Sequence, residues 1–239
     1  TRDPIEALLA SPEGAVLAVI AGVEGPSYRP VGAMMVVMSE AERAGTLSSG
    51  CSEADIALHA MEAAKAGTPR MVRYGRGSPF GDIQLPCGGG LDILVVPKPD
   101  RAVLAEVART RSARRPCSLL IQTDTGDMAA APSGATGLDG AQLTVRFEPE
   151  IRFLIFGKGP EASTFAALVQ SAGYPNLLLS PDDETLGNGA LSGCATRHLT
   201  KQEFPPDLDA DNRTAVVLFF HDHDWEPPIL AGAVGTPAF

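Results

Sequence analysis

The chain has 239 residues, 44% of them hydrophobic and 20% charged, enough for one large domain or two modest ones with their own cores. A formal net charge of −10 speaks against a nucleic-acid partner or an anionic membrane surface, since both are bound mainly through positive charge. No apolar run is long enough to cross a membrane, and Thr1-Arg2-Asp3-Pro4-Ile5-Glu6 lacks the basic-then-apolar order of a signal peptide.

Pro4 to Ala10 predicts a short amphipathic helix, and the continuous apolar run Ala15 to Val23 fits a buried strand. Glu24 to Gly32 then carries two Pro and two Gly and must be a loop, after which Ala33 to Met38 is a second apolar strand. A polar loop between two buried strands puts Ser27 and Arg29 at the rim of a sheet. There the guanidinium can fork onto a phosphate or carboxylate, or simply pair with a nearby acid.

The stretch Ser48-Ser49-Gly50-Cys51-Ser52-Glu53 is a small-residue turn running into an alanine-rich helix that ends near Ala66, with Gly67 at C′. Ser52 and Asp55 read as a capping box, which places Cys51 at a helix N-terminus among orphan N–H groups that attract anions and lower a thiol's pKa. Met71 to Tyr74 alternates like a half-exposed strand, Gly75 to Gly81 is an open loop, and Asp82 to Leu85 a short strand. Pro86-Cys87-Gly88-Gly89-Gly90 is a second cysteine-bearing turn, whose glycines let backbone approach a ligand closely.

The four cysteines, Cys51, Cys87, Cys117 and Cys194, form no Cys-x-x-Cys pair, so structural zinc and a disulfide scaffold are not expected and a reducing cytoplasm is. Cys117 heads an apolar run and reads as core. Cys51 and Cys87 either fill tight turns or touch a ligand.

Leu91 to Val96 reads as a strand, Asp100 to Arg114 as a helix and Cys117 to Gln122 as a strand. Residues 123–140, rich in Thr, Asp, Gly and Pro, read as a surface excursion, and Leu143 to Phe147 closes a first domain. Pro149 and Glu150 mark a boundary, giving domains 1–149 and 150–239.

The second domain opens with the apolar strand Ile151 to Phe156, the turn Gly157-Lys158-Gly159-Pro160-Glu161-Ala162 and a helix to Ala172. Strand, G-x-G-x-x-A and helix in that order is the context of a dinucleotide turn, in which Gly157, Gly159 and Ala162 would contact NAD(P). The acidic residue that grips a ribose is replaced by Ser180 at the end of the next strand, so a structural turn or another phosphate-bearing ligand stays open beside it.

Thr214 to Phe220 is a further buried strand that delivers His221-Asp222-His223-Asp224. These histidines would share a face for a metal only if the extended chain continued past Phe220; otherwise they line a cleft or cap a helix. The fold class expected is α/β: a mixed α/β first domain, then a Rossmann-like parallel domain that is short or truncated, whose exposed sheet edge suggests a homodimer.

Gly25-Pro26-Ser27-Tyr28-Arg29-Pro30-Val31-Gly32-Ala33-Met34-Met35, Ser49-Gly50-Cys51-Ser52-Glu53 and Leu85-Pro86-Cys87-Gly88-Gly89-Gly90-Leu91-Asp92-Ile93, followed by a Rossmann-like half, resemble the XdhC/CoxI family over about Gly14 to Ala238. These are maturation factors for molybdenum hydroxylases such as xanthine dehydrogenase. The resemblance implies an accessory factor, not a turnover enzyme, that binds molybdenum cofactor (molybdopterin) and protects it while a sulfur-donating enzyme acts. It then hands the cofactor to an apo molybdenum hydroxylase.

On that basis Cys51 and Cys87 would flank the metal and Glu53 would orient or hydrogen-bond the pterin. Arg29 and the Ser48 to Ser52 turn, with Ser49 and Gly50 in it, would take the phosphate, Ser27 would belong to the same cofactor site, and Gly88, Gly89 and Gly90 would let the backbone close in. The chain departs from the family in having Ser49-Gly50 for the usual Gly-Gly and Ser180 for a strand-end Asp. The alternative from another class is an NAD(P)-dependent oxidoreductase using the Gly157 turn.

Overall fold

The computed structural model describes residues 2–48, 50, 52–78, 88–221 and 223–238. Ser49, Cys51, Cys87 and the strand expected at Asp82 to Leu85 lie outside them. The chain divides into two units, Thr1–Glu148 and Pro149–Phe239.

The first unit begins with helix α1 (Pro4–Ala10), whose cap Asp3 accepts from the N–H groups of Ile5 and Glu6. Then come β1 (Val16–Glu24), β2 (Met34–Val37), β3 (Arg43–Gly45), α2 (Glu53–Ala66), β4 (Arg70–Gly75) and β5 (Gly90–Val96). The five strands form an antiparallel sheet in the order β3-β2-β1-β5-β4. After α3 (Arg101–Ser112), the strands β6 (Cys117–Gln122), β7 (Met128–Ala131), β8 (Gly137–Asp139) and β9 (Gln142–Phe147) make a second antiparallel sheet in the order β7-β6-β9-β8.

The first sheet is covered on both faces, which explains why β1 is apolar throughout instead of alternating. Val16, Ala18 and Ile20 pack with Ile56, Ala57, Ala60 and Ala63 of α2. Leu17, Val19 and Ala21 pack with α1, α3 and the inward residues of β6 and β9, including buried Cys117. The segment 123–140, expected as a surface excursion, instead supplies β7 and β8. Their short polar or alanine-rich sequences, such as Met128-Ala129-Ala130-Ala131, carry little strand signal of their own and are held by pairing with β6 and β9.

The second unit runs β10 (Arg152–Gly157), α4 (Pro160–Ser171), β11 (Asn176–Ser180), α5 (Asp183–Leu191), β12 (Ala195–His198), β13 (Thr214–Phe219) and α6 (Glu226–Val234). Its strands are all parallel, in the order β12-β11-β10-β13. Ile155 and Leu178 pack under α4 with Ala162, Ala166 and Val169, whereas Leu154, Phe156 and Leu179 pack on the opposite face with Ile229 of α6. Helices on both faces of a parallel sheet are the Rossmann-like arrangement expected.

Candidate functional site

Strand register shows where the N-terminal motifs meet. Glu24 at the end of β1 pairs with Gly90 at the start of β5, and Gly75 at the end of β4 pairs with the same Gly90. Gly45 at the end of β3 pairs with Met35 near the start of β2. The segments 25–33, 46–52 and 76–89 therefore all leave from one end of the five-stranded sheet, so the three motifs separate in sequence start from the same sheet end.

In the first segment, the Ser27 hydroxyl donates to the Arg29 carbonyl at 2.6 Å, so Ser27 shapes its own loop. Arg29 is exposed and makes no ion pair with any described residue, leaving its guanidinium available. The loop touches the glycine turn: a Cβ on Gly89 would overlap the Pro26 carbonyl oxygen, so only glycine fits there.

Arg73, which no motif marks, ties the roots of these loops together. Its guanidinium bonds Asp92 of β5 at 2.8 Å, Glu24 of β1, and the Arg76 carbonyl at 2.8 Å. Gly90 makes room for it, since a Cβ there would lie 2.6 Å from Arg73 Nη2. An isolated arginine in a short alternating strand gives no sign of three partners on three segments.

The turn before α2 differs from the capping box expected. Ser52 is the N-cap but its side chain caps nothing, and Asp55 instead accepts from the Tyr74 hydroxyl at 2.6 Å. Glu53 turns back over the loop. Its Oε1 accepts from Thr46 Oγ1 (2.6 Å), Leu47 N (3.1 Å) and Ser48 N (2.8 Å). Its Oε2 accepts from Ser48 Oγ (2.6 Å), Gly50 N (2.8 Å) and Ser52 N (3.3 Å).

Glu53 is 7% exposed, and no described cation pairs with its carboxylate. Burial pushes its pKa up, but the hydrogen bonds from Ser48 and Thr46 outweigh that and bring it to about 2. Amides expected to be free for a phosphate are thus already bonded to the protein's own anion. Both carboxylate oxygens of Glu53 accept hydrogen bonds from its own loop.

In the second unit, the Gly157 turn packs as tightly as its motif requires. A Cβ at Gly157 would lie 2.6 Å from the Phe219 carbonyl oxygen and 2.8 Å from the Ala162 Cβ, which joins β10, β13 and α4 closely. Gly159, at φ 95°, caps α4, but its N–H donates to Thr185 Oγ1 at 2.9 Å. Ser180 is completely buried and its hydroxyl accepts from Asp182 N at 3.1 Å. The amide that would meet a pyrophosphate is bonded internally and the ribose position holds a buried serine, so the NAD(P) reading lacks both its anchors.

A cleft of about 670 Å³ does open beside this turn, lined by residues that include Lys158, Pro160, Pro181, Phe220, His221 and Trp225. The extended chain ends at Phe219 and turns before α6, so His221 and His223 do not continue a strand face. Among the described residues no cluster of His, Cys, Asp and Glu could hold a metal. Cys117 and Cys194 are buried, which raises their thiol pKa values.

A two-sheet unit with three loops gathered at one sheet end, joined to a parallel unit with a closed glycine turn, defines a recognisable class. The family model described as the XdhC and CoxI family matches residues 8–75. The chain is 32% identical over 235 residues to the molybdenum cofactor insertion chaperone PaoD of Escherichia coli (strain K12), with 97% of this chain and 67% of that protein covered. It is 27% identical over 203 residues to a protein of Bacillus subtilis (strain 168) described as a probable subunit of xanthine dehydrogenase, covering 71% of this chain and 60% of that one. A crystal structure described as a xanthine dehydrogenase from Bacillus halodurans shares the fold, with a TM-score of 0.74 at 20% identity over 91% of this chain and 74% of that one. This chain belongs to the XdhC and CoxI family.

Proposed function

We propose that this chain is a molybdenum cofactor insertion chaperone, which holds a molybdopterin cofactor as cargo, shields it and delivers it to an apo molybdenum hydroxylase. The observation that carries this reading is the 32% identity to PaoD along 97% of the chain. It is supported by the departure of the three family segments from one sheet end of the first unit.

In this reading the unpaired Arg29 takes the cargo's phosphate, because the amides of the 46–52 turn are already bonded to Glu53. Gly88, with open space where a side chain would stand, brings backbone close to the flat pterin. Cys51 and Cys87 offer soft thiol ligands to the metal end. A sulfur-donating enzyme is the further partner proposed, acting in the cytoplasm while the cargo is held. We also propose a homodimer, since β13 closes its sheet as an unpaired edge among the described residues.

The test is molybdenum and pterin analysis of the full chain, purified without oxygen from cells that make the cofactor. Near-stoichiometric molybdopterin is expected; folded protein with none overturns the reading.

A further inference from the structure

We propose that Glu53 is a positioning residue of the cargo site, a built-in anion that meets the amides of Leu47, Ser48, Gly50 and Ser52 and holds those residues in place before any ligand arrives. The inference rests on the chaperone reading for what the turn meets, but the filled turn itself stands on geometry alone.

Six donors converge on one side chain: the backbone N–H groups of Leu47, Ser48, Gly50 and Ser52, and the hydroxyls of Thr46 and Ser48. The two serines are aligned as well, since Ser52 Oγ donates to Ser48 Oγ at 2.9 Å and Ser48 Oγ passes its own proton toward Glu53 Oε2. Successive amides pointing inward make a concavity that attracts an anion. Here that anion is covalently part of the helix that follows. Residues 48, 50 and 52 are each pinned to it, and in the chain they bracket Ser49 and Cys51.

Only a carboxylate of this length serves. Glutamine keeps the volume, but its NH2 would face Ser48 Oγ and the Gly50 and Ser52 N–H groups with a donor where they need an acceptor. Aspartate is one methylene short of the far donors. A turn held this way meets its cargo without ordering first, so affinity is not lost to loop ordering at the moment of binding.

Glu53→Ala removes a CH2–COO⁻ group, which is the skeleton of acetate. The variant should bind acetate in the vacated turn, read on the apo full chain as a melting temperature that rises with acetate and not with chloride at equal ionic strength. Wild type should show no such difference. Molybdopterin loading of Glu53→Ala should fall about 10–100-fold, as for other residues that orient a metal site from behind, and acetate should restore it.

Tyr74→Phe is the matched control. It deletes the bond to Asp55 on the same helical turn but leaves the anion in place, and should load like wild type. If Glu53→Ala does not fold, Glu53→Gln takes its place and should load poorly while folded. Loading of Glu53→Ala or Glu53→Gln equal to wild type overturns the inference. So does a Tyr74→Phe loss as large as theirs, or a folded Glu53→Ala that acetate neither stabilises nor restores. Failure of wild type to load overturns the chaperone reading instead, and the acetate shift of the apo variant then still decides whether the turn is a filled anion site.

Discussion

Two turns in this molecule look alike in sequence and are closed in different ways. Thr46 to Glu53 and Gly157 to Ala162 both run small residues into a helix N-terminus, where free N–H groups and the helix dipole favour an anion. In the first unit the turn's amides meet a buried carboxylate, with Leu47, Ser48, Gly50 and Ser52 all donating to Glu53. In the second, one neutral hydroxyl is enough: Gly159 donates to Thr185, whose hydroxyl is oriented by donating to Asp182 at 2.6 Å. An anion-binding turn in sequence is thus a statement about donors, and it leaves open whether the protein supplies its own acceptor.

The difference should be largest in acid. Glu53 has a pKa of about 2 in the fold against a reference of 4.5, so the unfolded chain binds the proton more readily. Its stabilisation is complete above about pH 4.5 and is lost as the pH falls toward 2. The shift corresponds to about 3 kcal/mol, and denaturant melts at pH 7 and pH 3 would detect much of it. In Glu53→Gln that acid dependence should shrink, while stability at pH 7 should already be lower by a similar amount. A variant as stable as wild type at pH 7 would show that the buried carboxylate does no more than a solvated one.

The second unit should break at its packing and not at a charge. Gly157→Ala forces a methyl group against the Phe219 carbonyl and the Ala162 Cβ, both held by the sheet and helix, and should cost about 2 kcal/mol. Hydrogen exchange would show the loss in β10, β13 and α4, with the amides of α2 unchanged. Equal loosening of α2 would mean that the two units do not melt as separate bodies.

Much of this fold is legible in the sequence, because long apolar runs survive burial on either one face or two. Val16 to Val23 and Arg152 to Phe156 announce strands whatever covers them. Arg43 to Gly45 and Gly137 to Asp139 do not, since three residues with one hydrophobic side chain become strands only through their partners. Helix α5 is similarly quiet, with Gly187 and Gly189 inside it; a Cβ at Gly189 would lie 2.5 Å from Leu178, so the glycine that weakens the helix signal is what lets the helix lie on β11.

The site was legible as a set of loops and not as a set of bonds. Ser27, Arg29 and the glycines of the 88–90 turn are marked by residue type. The reach of Glu53 back over seven residues, and of Arg73 to Glu24 and Asp92, depends on tertiary placement that no local spacing encodes.

The smallest expected effect is the most specific test of the second turn. Thr185→Val keeps the shape but removes the hydroxyl that accepts from Gly159 and donates to Asp182, and should cost about 1–2 kcal/mol. The Asp182 carboxyl, held below its ordinary range mainly by the Thr185 hydrogen bonds, should titrate higher in the variant, as carboxyl chemical shifts against pH would show. The Gly159 N–H then has lost its internal acceptor, yet buried Ser180 still offers a ribose no acidic acceptor. Millimolar NAD should therefore leave the wild-type melting temperature unmoved, because a ligand stabilises only the state it binds. A shift in Thr185→Val alone would identify the threonine as what closes the turn. A shift already present in wild type would show that the hydroxyl yields its amide to a phosphate, and the two turns would then differ in occupancy more than in design.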